Sequence, residues 1–353
     1  MVPLNGIPFG LVPEGPTKTP IMKIAFFSYK SYDKEWFESH MEGFDFEIDY
    51  FRVRLEESTV HYARGCEVVC AFVNDDLSRK VIEALADIGV KMIALRCAGF
   101  NNVDLEAAQN RGIPVYRVPE YSPHAVAEHA VALILALNRK IHKAYNRVRD
   151  GNFSLSRLVG FNLNGKTVGV LGTGKIGRVF AELMKCFGCR VLLYDKFPSK
   201  EMEEKGYRYV DLSVLLRESD ILSLHVPLTP ETAQIINRET LNMMKDNAML
   251  INTSRGGLIN TEHAINALRK KKLGYLGIDV YEQEEGVFFQ NLQEQIIDDD
   301  TLGLLMSFPN VLVTAHQAFF TREALDEITR ITLENIRDFS QGRTNENVIK
   351  MPE

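Results

Sequence analysis

The stretch from Gly165 to Asp195 constrains the fold of this 353-residue chain more than any other part of it. An apolar run, Val168 to Leu171, leads into three glycines spaced as G-x-G-x-x-G, and apolar residues at helical spacing follow them. A second apolar run then ends at Asp195. The glycines are Gly172, Gly174 and Gly177. This order predicts a strand, a glycine turn, a helix and a second strand, which is the arrangement of a dinucleotide-binding unit.

Each part of this motif has a physical task. Gly172 permits a tight turn, Gly174 leaves room for a pyrophosphate to approach the backbone, and Gly177 lets the helix pack closely on the strand. The amides and the dipole at the start of the helix attract phosphate charge. Asp195 is placed to accept hydrogen bonds from a ribose 2′-hydroxyl and would repel a 2′-phosphate. We therefore expect the cofactor to be NAD and not NADP.

The composition narrows the possible partners. With 45% hydrophobic residues, the chain can bury enough core for two domains, and no apolar run approaches the roughly 20 residues that cross a bilayer. The net charge of −6 does not indicate the basic surface that nucleic-acid binding needs. Residues 1–21 show no signal-peptide pattern, so we expect a flexible extension there and a cytoplasmic protein with no membrane partner.

The five cysteines show no disulfide-scaffold pattern and fit a reducing compartment. Cys186 and Cys189 form a C-x-x-C pair, a spacing that also occurs in redox and metal sites. Because no second pair has zinc-site spacing, we interpret the two as packed thiols and expect no metal.

Strands and helices alternate on both sides of the glycine motif, which predicts parallel sheets. Before the motif, the pattern predicts strands at 22–29, 44–54, 67–73, 91–96 and 113–118, and helices at 35–41, 78–88 and 104–110. After it, the pattern predicts strands at 220–225, 248–252, 276–280 and 311–314, and helices at 238–244, 261–271 and 321–339.

Two further segments stand out. Ser122 is a helix N-cap followed by proline, and it predicts one long helix that extends to about Arg149. This helix is either a core helix or one shared between two domains and a subunit interface, which would make the protein a homodimer or homotetramer. Residues 284–309 are acidic and irregular, and we interpret them as a long functional loop.

Polar residues with complementary chemistry follow three predicted strands. Reduction of a 2-keto acid by hydride needs a cation for the carboxylate, a proton donor near neutral pKa, and a carboxylate that orients the donor. Arg255, His316 and Glu284 can fill these roles. Each also has a structural alternative: a surface ion pair for the arginine, a structural role for the histidine, and solvation for the glutamate.

The segments INTSRGGLIN, LGIDVYEQE and FPNVLVTAHQAF resemble the signature segments of the D-isomer-specific 2-hydroxyacid dehydrogenases, and the resemblance extends from about Met22 onward. It implies that the catalytic arginine, glutamate and histidine of the family are Arg255, Glu284 and His316. It also implies two doubly wound parallel-sheet α/β domains. A Rossmann NAD-binding domain, residues 122–318, is inserted into a flavodoxin-like substrate domain formed by residues 22–121 and 319–353.

Four more segments, VCAFVNDDLS, ALRCAGFNNVDL, VPEYSPHAVAEHA and FFQNLQEQIIDDD, resemble the fermentative D-lactate dehydrogenase branch of that family. The substrate contacts that this resemblance implies are Ala98, Gly99, Tyr121, Phe72 and Phe319. The implied cofactor contacts are Gly172, Thr173, Gly174, Lys175, Ile176, Gly177, Asp195, His225, Val226, Pro227, Thr253, Ser254 and Asp279. Ordinary core packing is the alternative for the two phenylalanines, and a buried aspartate satisfied by the backbone is the alternative for Asp279.

These observations predict NADH-dependent, reversible reduction of pyruvate to D-lactate. In this hypothesis Arg255 holds the substrate carboxylate, His316 is the general acid, and Glu284 keeps His316 charged and aligned. The alternatives are reduction of another 2-keto acid (phenylpyruvate, hydroxypyruvate or glyoxylate) and, from a different class, an NAD-sensing transcriptional corepressor.

Overall fold

The structure is a computed structural model that describes residues 22–284, 287–289 and 291–350. The predicted N-terminal extension, residues 1–21, lies outside the described residues. The chain divides into a first unit, the described residues up to Pro119 and from Asp326 onward, and a second unit, Glu120–Leu325. The sequence predicts these divisions after residues 121 and 318. In the structure the divisions fall after Pro119 and Leu325, so Tyr121 and Phe319 both belong to the second unit.

The first unit is built on a five-stranded parallel sheet with the strand order β2-β1-β3-β4-β5, the flavodoxin-like order. The strands are β1 (Met22–Phe26), β2 (Phe46–Tyr50), β3 (Val68–Ala71), β4 (Met92–Leu95) and β5 (Val115–Tyr116), and the helices between them are α1 (Ser31–Ser39), α2 (Arg79–Asp87) and α3 (Leu105–Asn110). Every residue of β3 and β4 is buried. These two strands are short continuous apolar runs because helices cover both faces of such a sheet.

The second unit is built on a seven-stranded parallel sheet with the order β12-β11-β10-β9-β6-β7-β8. The strands are β6 (Thr167–Leu171), β7 (Arg190–Tyr194), β8 (Arg208–Tyr209), β9 (Ile221–Leu224), β10 (Ala248–Asn252), β11 (Leu273–Ile278) and β12 (Val311–Val313). Counted from β6, this is the Rossmann order 3-2-1-4-5-6 with one added strand. The predicted fold class, two doubly wound parallel sheets, is therefore confirmed.

Helices connect and flank the strands of the second unit. They are α4 (Pro123–Arg139), α5 (Ile141–Arg149), α6 (Lys175–Cys186), α7 (Lys200–Glu204), α8 (Leu212–Glu218), α9 (Arg238–Met243), α10 (Thr261–Arg269) and α11 (Asp300–Ser307). The last helix, α12 (Arg322–Ser340), contributes Leu333 and Ile336 to the core of the first unit. No helix in the described part of the chain is long and apolar enough to cross a membrane.

Three expectations from the sequence were wrong. The long helix after Ser122 is two helices, because Lys140 adopts a left-handed conformation with φ of 51° and ends α4. The region 284–309 is not wholly irregular: the Asp299 carboxylate accepts a hydrogen bond from the Leu302 amide at 2.8 Å and caps α11. Of the paired thiols, only Cys189 is buried, whereas Cys186 is exposed.

Candidate active site

The glycine turn follows β6 directly, and two of its glycines are required by close packing. Gly172 has a φ of 100°, and a Cβ there would lie 2.6 Å from the His225 carbonyl. A Cβ on Gly177 would lie 2.0 Å from the Gly172 oxygen, so no larger residue lets α6 approach the turn this closely. A Cβ on Gly174 would meet nothing within 4 Å. The backbone at Gly174 therefore faces open space at the start of α6, as a phosphate-binding turn requires.

Asp195 follows β7 and accepts hydrogen bonds from the glycine turn. One carboxylate oxygen accepts hydrogen bonds from the Thr173 amide at 2.6 Å and the Thr173 hydroxyl at 3.1 Å. The hydroxyl of Tyr209 donates to Thr173 Oγ1 at 2.8 Å. A cavity of about 440 Å³ lies beside Asp195, and Tyr194, Pro198, Arg208 and Tyr209 are among the residues that line it. No sequence pattern pointed to Tyr209, because β8 has only two residues.

The remaining residues of the predicted turn differ in exposure. Thr173 is buried, Ile176 is half-buried, and Lys175 is exposed and pairs with Glu120. Both Lys175 and Glu120 belong to the second unit.

The loop after β9 lies against the same turn. The His225 amide donates to the Leu171 oxygen at 2.7 Å, and the Val226 oxygen accepts a bond from the Ser254 hydroxyl at 2.6 Å. Pro227 follows and is exposed. Burial lowers the pKa of His225 to about 3, so its imidazole is neutral at physiological pH. The turn after β6 and the loop after β9 meet where the strand order reverses, which is where open α/β sheets bind ligands.

The loop after β10 carries Thr253, Ser254 and Arg255. The hydroxyl of Thr253 is buried and has no hydrogen-bond partner among the described residues, an arrangement that leaves a polar atom for a bound group. This hydroxyl and the open backbone at Gly174 fit a dinucleotide at this edge of the sheet.

Two residues that the sequence did not single out hold Arg255 in place. Asn252 is fully buried, and both polar atoms of its side chain are bonded. The side-chain nitrogen donates to the Arg255 backbone oxygen at 2.8 Å, and the side-chain oxygen accepts from the Ser254 backbone amide at 3.0 Å. A Cβ on Gly256 would lie 2.1 Å from the Tyr281 carbonyl. The Arg255 loop is thus packed against the loop that follows β11. The two glycines that follow Arg255 in the sequence were the feature from which this close packing could have been predicted.

Glu284 and His316 form a pair at the ends of β11 and β12. Nδ1 of His316 lies 3.0 Å from Oε1 of Glu284, and the other carboxylate oxygen accepts a hydrogen bond from the Tyr281 amide at 3.2 Å. The side chain of His316 is 18% exposed and that of Glu284 is 27% exposed, so both are only partly accessible to solvent. His316 has a φ of 52°, and the ring of Phe289 lies 5.7 Å from its imidazole. The sequence did not predict this contact with Phe289.

Asp279 holds the turn that carries His316. Its carboxylate is fully buried and accepts bonds from the Thr314 hydroxyl at 2.5 Å and the Ala318 amide at 2.8 Å, while its backbone oxygen accepts from the His316 amide at 2.7 Å. Burial opposes ionisation, but hydrogen bonds from His129 and Thr314 hold the pKa of Asp279 below its ordinary value. These bonds match the structural alternative that the sequence left open for Asp279, and its contact with a cofactor stays a prediction.

The three residues with predicted chemistry thus lie at the carboxyl ends of three adjacent parallel strands, β10, β11 and β12. Arg255 can anchor an anion, and Glu284 can orient the imidazole of His316. Among the described residues, no group of three or more His, Cys, Asp or Glu side chains could hold a metal ion.

The predicted substrate residues lie in both units. In the first unit, Phe72 is 8% exposed, and the Ala98 and Gly99 oxygens accept bonds from Arg117 at 3.1 Å and Cys97 at 3.3 Å. In the second unit, the rings of Tyr121 and Phe319 are 6.3 Å apart and packed edge to face, and Phe319 is buried.

Comparison with known proteins places this geometry in a family. Residues 131–318 match the NAD-binding domain of the D-isomer-specific 2-hydroxyacid dehydrogenases. A 2-hydroxyacid dehydrogenase homolog of Haemophilus influenzae is 52% identical over 93% of this chain and 99% of its own length. The D-lactate dehydrogenase of Escherichia coli is 51% identical over 92% of this chain and 99% of its own length. A solved structure of the pyruvate reductase of Chlamydomonas reinhardtii is similar, with a TM-score of 0.87 at 46% identity, and covers 92% of this chain and 98% of that one.

Proposed function

The chain belongs to the D-isomer-specific 2-hydroxyacid dehydrogenase family, and on that premise we propose that it reduces pyruvate to D-lactate with NADH, reversibly. The observation that carries the proposal is the pair formed by His316 and Glu284 at 3.0 Å. These residues follow β12 and β11, and β11 is the neighbour of β10, the strand that precedes Arg255. The two relatives named as a D-lactate dehydrogenase and a pyruvate reductase support this choice of substrate.

His316 is the proton donor in this reaction. Because Nδ1 is engaged by Glu284, Nε2 is the atom that gives its proton to the oxygen of the developing alkoxide. The carboxylate of Glu284 fixes the plane of the imidazole ring. NADH, when bound, supplies the hydride that forms the new C–H bond at C2. The product is the 2-hydroxy acid, and His316 is left neutral until it takes up a proton from solvent.

Arg255 binds the substrate carboxylate and places the carbonyl for reaction. A guanidinium presents parallel donors that match a carboxylate, and this match fixes orientation as well as charge. The Asn252 bond and the close approach at Gly256 limit how far Arg255 can move. In the first unit, we infer that the backbone amides of Ala98 and Gly99 are available to a substrate carboxylate, since among the described residues these amides have no other partner.

The aromatic residues Tyr121, Phe72 and Phe319 select a small substrate. Phe72 and Phe319 are both buried, so neighbouring residues prevent either ring from moving aside for a bulky keto acid. We infer that these rings limit the size of the group attached to C2 and that the methyl group of pyruvate meets this limit.

The proposal is tested by the variant His316→Gln, with His124→Gln as the matched control. His124 has a side chain that is 68% exposed and pairs only loosely with Glu128, at 3.9 Å. Loss of a general acid reduces kcat by roughly 10²–10⁴-fold, so we expect pyruvate reduction to fall by about that factor in His316→Gln and to be unchanged in His124→Gln. NADH fluorescence titration should give wild-type affinity for both. Retention of more than a tenth of wild-type kcat in His316→Gln would remove His316 from the proposed role.

A further inference from the structure

Phe72, which follows β3, is fixed in the first unit by bonds to both of its backbone groups. Its amide donates to Asp75 Oδ2 at 2.7 Å, and its oxygen accepts a hydrogen bond from the side-chain amide of Asn102 at 3.1 Å. The guanidinium of Arg96 lies 4.7 Å above its ring. The position of this ring is therefore determined by the polar groups around it as well as by apolar packing.

Asp75 is the anchor of this arrangement. It is 1% exposed, and its other carboxylate oxygen accepts bonds from the Ser28 hydroxyl at 2.6 Å and the Leu55 amide at 2.8 Å. These bonds connect the end of β1 and the segment after β2 to the turn that begins at Phe72. The turn from Phe72 to Asp75 is thus held at a fixed place on the carboxyl edge of the first sheet.

Asn102 connects this turn to the loop that carries Ala98 and Gly99. Its side-chain nitrogen donates to the Phe72 oxygen at 3.1 Å and to the Asp75 oxygen at 2.8 Å, so both amide hydrogens are used. Asn102 belongs to the loop after β4, three residues beyond Gly99. Backbone bonds also join these segments further along, from the Leu77 amide to the Asn102 oxygen at 3.3 Å and from the Asp104 amide to the Leu77 oxygen at 2.9 Å. The Asn102 side chain is the contact that reaches the Phe72 oxygen itself.

We propose that Asn102 is a positioning residue that determines substrate size, because it keeps the ring of Phe72 in register with the Ala98 and Gly99 amides. The inference rests on the proposed function, in which those amides bind the substrate carboxylate and Phe72 limits the group attached to C2. In this proposal, the ring of Phe72 admits the methyl group of a pyruvate whose carboxylate is bound at the amides and excludes an aromatic side chain.

The neighbouring asparagine offers a matched control. Asn101 is exposed and has no side-chain hydrogen bond among the described residues, whereas Asn102 makes two. Asn102→Asp keeps the shape of the side chain but replaces the donor with an anion that faces two carbonyl oxygens. Asn101→Asp makes the same change of charge one residue away.

The experiment measures kcat and KM for pyruvate and phenylpyruvate with NADH in the wild type and both variants. We expect Asn102→Asp to raise KM for pyruvate at least tenfold, with a smaller change in kcat, and to lower the ratio of kcat/KM for pyruvate to that for phenylpyruvate at least tenfold. Asn101→Asp should retain wild-type values. NADH affinity should be unchanged in both, since the Asn102 bonds lie in the first unit.

A wild-type selectivity ratio and KM in folded Asn102→Asp would overturn the proposal, and so would a loss confined to kcat. Thermal unfolding identifies a variant that does not fold; in that case Asn102→Ser, which retains one short donor, takes its place, and an unchanged ratio there is equally decisive. If the wild-type enzyme itself prefers another 2-keto acid, the proposed function fails separately. The ratio is then measured between that acid and a bulkier one, with the same expected direction.

Discussion

The contact between His316 and Glu284 determines the direction in which the imidazole ring points. One carboxylate oxygen lies 3.0 Å from Nδ1, and the other accepts a hydrogen bond from the Tyr281 amide at 3.2 Å. Because Glu284 is itself held by the backbone, it can hold the ring with Nε2 directed away from the carboxylate. In the proposed reaction, Nε2 is the proton donor, so its position depends on Glu284.

We expect Glu284→Gln to lower kcat for pyruvate reduction by about tenfold or more, because the imidazole loses the anionic acceptor that holds Nδ1. Glu282→Gln is the control, since Glu282 lies two residues away and accepts bonds from Gln234 and Thr261 instead. Steady-state rates at saturating pyruvate and NADH measure kcat. A wild-type kcat in folded Glu284→Gln would show that Glu284 does not position His316.

At this scale the sequence identifies the residues that follow strands and misses those that depend on contacts between loops. Arg255 and His316 could be named because a polar residue just past an apolar run marks the binding edge of a parallel sheet. Tyr209 and Phe289 could not, because their contacts join segments whose approach is set by strand order. Asn252 could not, because its bonds to Ser254 and Arg255 depend on the backbone conformation of the loop. The left-handed conformation of His316 also has no signal in the residue type.

Among the elements, α5 and the segment after it expose several large apolar side chains. No residue of α5 is buried, and Tyr145 is 60% exposed. Phe153, Leu155 and Val159, which follow, are 74%, 81% and 83% exposed. An apolar group of this kind on a monomer is typical of a protein interface. It supports the proposal that the protein is a homodimer or homotetramer.

We expect the double variant with Phe153→Ser and Leu155→Ser to have a lower molar mass than the wild type in multi-angle light scattering at micromolar concentration. Loss of two large apolar side chains from an interface weakens association by several kcal/mol. Phe197→Ser is the control, because Phe197 is 78% exposed but lies after β7. A wild-type chain that already elutes as a monomer would contradict the proposal.

Sequence periodicity predicted most of these elements, and its errors have local causes. The apolar stripe of α4 continues in pattern through Lys140, whose left-handed backbone a lysine does not signal. Asp299 was interpreted as part of an acidic loop, although aspartate before an apolar run is also a helix N-cap. β8 and α7 were missed because two and five residues are too few to show a period.

At the scale of the whole molecule, the two sheets have strand orders that no single segment of sequence encodes. The alternation of strands and helices predicted parallel sheets, but the order within each sheet follows from right-handed crossovers and from helices that cover both faces. In the second unit this order places the glycine turn, Asp195, Arg255, Glu284 and His316 at one edge. The sequence alone predicts a role for each of these residues, and the strand order shows that the segments that carry them meet at the same edge of one sheet.

The central claim, reduction of pyruvate to D-lactate with NADH, is a statement about substrate, stereochemistry and cofactor together. One measurement tests all three: the purified enzyme is supplied with pyruvate and either NADH or NADPH, and the lactate formed is resolved by chiral chromatography while oxidation of the cofactor is followed. We predict D-lactate as the sole enantiomer and a higher kcat/KM with NADH, because Asp195 repels a 2′-phosphate. L-lactate, a preference for NADPH, or no lactate from an enzyme that turns over another 2-keto acid would contradict the account.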